Sequence, residues 1–109
     1  MYLEKRFEVE TETPVKTLEP WRQNMLDAAD LIEQRGHAKN ILEDSNGSLC
    51  FVGALSMAVT GYSDAIDLRV GIGIQKMFPF IGQNPVDWNN APERTKEEVV
   101  SAMRACARS

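Results

Sequence analysis

Residues 49–61 read "LCFVGALSMAVTG", and the fold turns on them. Ala54, Leu55, Met57, Ala58 and Val59 leave almost no polar face. A helix of that kind must be covered on every side, which places it at the centre of a small bundle. Gly61 supplies its stop, so the spacing predicts a helix over 53–60. Just upstream, Asp44-Ser45-Asn46-Gly47 is a turn signal between two apolar pieces, Ile41-Leu42 and Leu49 to Val52. That pattern predicts a short β-hairpin around 39–52 whose second strand runs into the central helix.

Working outward, Leu18, Trp21, Met25, Ala28 or Ala29, and Ile32 recur at spacings of three and four. They form one apolar stripe, so a helix is expected over about 18–35, with Pro20 in its first turn and Gly36 at its end. Ser63 is a suitable N-cap for a further helix, marked by Ile66, Val70, Ile74 and Met77 and stopped by Pro79. Gly71 and Gly73 leave "RVGIGIQ" open to a strand reading. Residues 78–94 carry three prolines and read as a long loop. A last helix follows at about 95–107. The fold class is therefore mainly α, a small bundle of about four helices with one hairpin. In residues 1–16, Phe7, Val9, Thr11 and Thr13 alternate with glutamates, the period of a strand. This segment reads as a tail or edge strand, with residues 1–13 a possible route to a homo-oligomer, and 17–109 as a single globular domain.

Composition narrows the function classes. The chain has 109 residues, 43% apolar and 26% charged, which suits one soluble domain. Its net charge of −4 includes no Lys/Arg cluster, so a phosphate-binding stripe is missing and nucleic acid is not expected as a partner. No apolar run has bilayer-spanning length and the N-terminal residues carry no apolar signal core, so no membrane role and a cytoplasmic location are expected. Cys50 and Cys106 then read as free thiols in the core.

Most chemical motifs fail on spacing. "GIG" at 71–73 has Lys76 where the dinucleotide fingerprint needs a third glycine. One histidine and two distant cysteines do not make a zinc site, and no cofactor is expected. A Cys50–His37 pair is the nearest approach to a nucleophile and base, but Cys50 lies in apolar "LCFV", where a thiol stays protonated. His37 reads more simply as a solvent-facing residue after the helix stop. Asp27 and Asp30 share one face of the first helix, either as a solvated acidic face or as a patch for a basic partner.

The C-terminal stretch "WNNAPERTKEEV", 88–99, is dense in structural signals. Thr95 and Glu98 have capping-box spacing. Trp88 is a natural anchor for the approach to the last helix, and Asn89 and Asn90 suit a turn. With Arg94, these residues are also candidates for a partner-binding surface, as are Asp27 and Asp30.

Gly36, "DSNG", "CFVGAL" at 50–55 and "WNNAPERTKEEV" at 88–99 together resemble an uncharacterised small domain family of actinobacteria and phages. Its pattern runs C-x-x-G-A-L and then W-N-D-x-P-x-R-T-x-x-E-V. The resemblance spans about residues 18–107, with Asn90 standing where the pattern has Asp. It implies the fold and no activity; its phage members imply a small accessory protein acting on a host or defence component. The expectation is a non-enzymatic protein-interaction module with a protein partner. The alternative is a small-molecule binder or Cys-dependent enzyme that uses the 78–94 loop with Cys50 and His37.

Overall fold

The computed structural model describes residues 19–109. The expectations for residues 1–16, an edge strand and a route to self-association, lie outside the described residues, as does the expected helix start at Leu18. The described chain forms α1 (Pro20–Arg35), α2 (Phe51–Thr60), α3 (Leu68–Ile81), α4 (Pro85–Asn90) and α5 (Lys96–Arg108). The molecule is a mainly α small helical bundle. Helix α1 packs against α2, α3 and α5, while α2 reaches α1, α3 and α4.

The first half of the all-apolar segment is central, while Met57, Ala58 and Val59 are half-buried at its C-terminal end. Phe51, Val52, Gly53, Ala54, Leu55 and Ser56 are all buried. The helix starts two residues earlier than its pattern suggests, because the Cys50 sulfur accepts the Gly53 N–H and acts as the N-cap. Gly53 is required by a close approach. The Leu42 carbonyl, which accepts from the Cys50 N–H, lies where a Gly53 Cβ would project. Gly73 plays a milder version of this role, since an added Cβ would sit 3.1 Å from a Leu55 methyl. Small residues at both positions let the 37–49 segment and α3 come close to α2.

Four expectations are corrected. First, the 39–52 hairpin is reduced to two isolated bridges, His37 with Leu49 and Glu43 with Leu49. The turn itself forms: the Asp44 carboxylate accepts the N–H groups of Asn46 and Ser48, and Gly47 takes a φ of +84°. The ladder fails because Asn40, at φ +64°, bends the first arm and sends its N–H to Asn90. Second, Ser63 is not an N-cap. Its hydroxyl donates to Glu43, while Asp67 accepts from Arg69 and Val70 and starts α3 at Leu68.

Third, "RVGIGIQ" is helical and Pro79 does not end α3, which runs to Ile81 and closes on Gly82 in the left-handed region. Proline removes one N–H near the end of a helix, and here it lies on an exposed face where water can serve the freed carbonyl. Fourth, the 78–94 loop contains α4, a six-residue helix with Asn84 accepting from Val86 and Asp87 and with Pro85 at its start. This gives five helices where about four were expected.

The two kinds of glycine separate experimentally. Gly53→Ala should lose about 1–3 kcal/mol or more by forcing the Leu42 backbone away. Gly71→Ala, with open space around the new methyl, should gain about 0.5–1 kcal/mol. Urea unfolding of both variants checks this, and equal effects would contradict the close approach.

Candidate functional site

Asn89 is the best-connected polar side chain of the molecule's interior. It is 2% exposed, in α4. Its Oδ1 accepts the Phe51 N–H at 3.0 Å, and its Nδ2 donates to the Ala38 carbonyl at 3.1 Å. Those two partners have fixed roles, so they set the orientation of the amide. The His37 Nε2, 2.8 Å from Oδ1, must then carry a hydrogen, and Nδ1 holds the lone pair of the neutral ring. The fourth bond runs from Nδ2 to Asn90 Oδ1, which also accepts the Asn40 N–H.

The rest of the stretch completes a latch. Trp88 is buried, with the Arg94 guanidinium 4.7 Å from its ring centroid. Arg94 Nε also donates to the Trp88 carbonyl, and its guanidinium lies 3.6 Å from Glu98. Lys39 reaches across from the first arm and donates to the carbonyls of Ala91 and Pro92. Thr95 and Glu98 form the reciprocal capping box that their spacing predicts. The segment thus ties α4, the start of α5 and residues 37–40 to the N-terminus of α2.

Of the candidate residues, the structure brings together Trp88, Asn89, Asn90 and Arg94. Asp27 and Asp30 lie elsewhere on the exposed side of α1. Asp27 accepts from Gln23, and Asp30 pairs with Arg104 at 2.9 Å. His37 is the residue that sequence reasoning placed wrongly: it is half-buried against Asn89 and does not face solvent freely. Its signal was weak, since 52 residues separate the two partners.

Cys50 and Cys106 are buried free thiols. Burial pushes the Cys50 thiol above its ordinary pKa, despite the favourable helix N-terminus. His37 is held below its ordinary value of 6.5, mainly by burial, with Lys39 acting in the same direction and the Asn89 bond opposing. Neutral thiol and neutral imidazole are the stable forms at neutral pH, which disfavours a thiolate–imidazolium pair. Among the described residues, no three His, Cys, Asp or Glu side chains gather as metal ligands. No described helix is long and apolar enough to cross a membrane.

A cleft of about 390 Å³ opens beside this network. Ile41, Leu42, Phe51, Val52 and Val86 form its walls, and Asn40, Asn89, Asn90 and Cys50 complete the lining. Ile41 and Val86 remain 51% and 44% exposed at its rim. Among the described residues, no lining side chain is charged.

Asn89→Ala should cost about 3 kcal/mol or more, because it strands the Phe51 N–H and the Ala38 carbonyl inside the protein. A loss under about 1 kcal/mol in urea unfolding would contradict the assignment. Protonation of His37 is disfavoured in the folded state. Stability should therefore be full above pH 6.5 and fall as pH drops from there through the lowered pKa. His37→Gln should flatten that part of the pH–stability curve.

No curated protein and no solved structure matches this chain. The model of a family of unknown function, DUF6197, matches residues 16–109. The chain belongs to that family, and the stretch that resembled a family pattern, 88–99, is the latch that holds its last two helices to the core.

Proposed function

We propose that the protein is a non-enzymatic interaction module that binds another protein at the cleft between residues 40–42, the N-terminus of α2 and α4. The supporting observation is the exposure of Ile41 and Val86 on either side of an uncharged concavity. Apolar side chains left in water around a cleft mark contact surfaces more often than isolated ones do. A rigid base supports this reading, because the Asn89 network fixes both walls. Ile72, another exposed apolar side chain, borders a smaller depression of about 220 Å³ near Trp21.

On this reading Trp88 and the nearly fully buried Asn89 support the surface from inside, and the more exposed Asn90 offers the contact at the cleft. The resemblance to phage and actinobacterial proteins supports a role as a small accessory factor acting on a host or defence protein in the cytoplasm. The Cys-dependent alternative has one observation in its favour, that Cys50 lines the same cleft. Its raised thiol pKa weighs against it.

Ile41→Glu and Val86→Glu place charges at exposed rim positions and should leave the fold intact. Affinity capture from the native host should return a partner with the wild-type chain and lose it with both variants. A partner retained by both variants would move the surface elsewhere, and a wild-type chain that elutes only as free monomer would contradict the reading. Thiol labelling of folded protein should find Cys50 slow, and rapid reaction would revive the Cys-dependent alternative.

A further inference from the structure

The cleft carries information about what fills it, and the following rests on the interaction reading above. Its walls are apolar, and among the described residues none of its lining side chains is charged. Burying a carboxylate or ammonium there would go uncompensated, so a charged group is rejected. One polar feature is directional. Asn90 Oδ1 accepts from the Asn40 N–H at 2.8 Å and from Asn89 Nδ2 at 2.9 Å. The Asn40 donor is a main-chain N–H and cannot exchange roles, so the Asn90 amide is oriented without ambiguity. Its Nδ2 is left with no partner among the described residues, and Asn90 lines the cleft. A donor held by two bonds on its own oxygen is pre-organised to meet an acceptor.

The geometry points to a binding site for an uncharged peptide segment of the partner, with one apolar side chain in the cleft and a main-chain carbonyl accepting from Asn90 Nδ2. The volume of about 390 Å³ has room for a large apolar side chain together with the backbone on either side of it. A small molecule confined to the cavity would leave the outer faces of Ile41 and Val86 in water, whereas a peptide crossing the rim covers both. Asn90 acts here as a specificity determinant: it selects an acceptor and excludes a donor or cation.

The substitution that isolates this role is Asn90→Asp. An aspartate keeps an oxygen for Asn40 and Asn89, preserving the fold, and replaces the outward donor with an acceptor. Three uncharged or charged probes can be titrated by NMR: N-acetyl-leucine N-methylamide, the capped tripeptide acetyl-Ala-Leu-Ala-amide, and octanoate. The blocked leucine should shift the Ile41, Val86 and Asn90 side-chain signals, and the tripeptide should bind more tightly by covering the rim. Octanoate should not bind. Asn90→Asp should weaken both peptide probes about tenfold, the loss of a hydrogen bond facing a misplaced charge. Val86→Glu should abolish tripeptide binding.

Absence of shifts in the cleft overturns the proposal, as does equal binding of the two peptide probes or preference for octanoate. Unchanged affinity in Asn90→Asp removes the role of Asn90. If the probes fail while partner capture still depends on Ile41 and Val86, the peptide chemistry is wrong and the interaction reading stands. If capture is also independent of the rim, both are wrong.

Discussion

One carboxamide holds the irregular part of this molecule to its regular part. Asn89 accepts from the first amide of α2 and donates to the Ala38 carbonyl, so two chain segments share one side chain that lies 38 and 51 residues away from them in sequence. The apolar core drives folding: fully burying side chains such as Phe51, Met25 and Leu55 contributes about 1.5–3 kcal/mol each. A satisfied hydrogen bond nets only about 1 kcal/mol. Asn89 therefore adds less stability than selectivity, because any arrangement that misplaces it strands several buried polar groups at once.

The same logic explains why the two motifs quoted from the sequence occur together. The Gly53 position of "CFVGAL" admits the Leu42 carbonyl, and this brings residues 37–42 against the start of α2. The "WNN" residues then close over that contact, with Trp88 filling the core and Arg94 tying α4 to α5. Neither half is complete alone. A bulkier residue at 53 would push away the arm that Asn89 is built to hold.

Signals confined to neighbouring residues were legible in the sequence. The stripe of α1, the apolar α2, the Asp44–Gly47 turn and the Thr95–Glu98 box all appear where local spacing puts them. Helix α4 was missed although Asn84-Pro85 is an N-cap followed by a suitable first residue, because four neighbouring Pro and Gly positions suggested a loop. The hairpin was over-read, since nothing local shows that Asn40 donates to Asn90. Most important, a buried Asn and a turn Asn look alike in one sequence. What separates Asn89 from Asn90 is a set of partners 38 to 52 residues away.

The amide of Phe51 offers the most direct test of this account. As the first residue of α2 it has no intrahelical acceptor, and such amides ordinarily exchange freely with solvent. With Asn89 Oδ1 accepting from it inside the core, native-state hydrogen exchange should find it protected to nearly the level of the α2 interior. Exchange as rapid as that of an uncapped first-turn amide would show that Asn89 does not hold the two segments together.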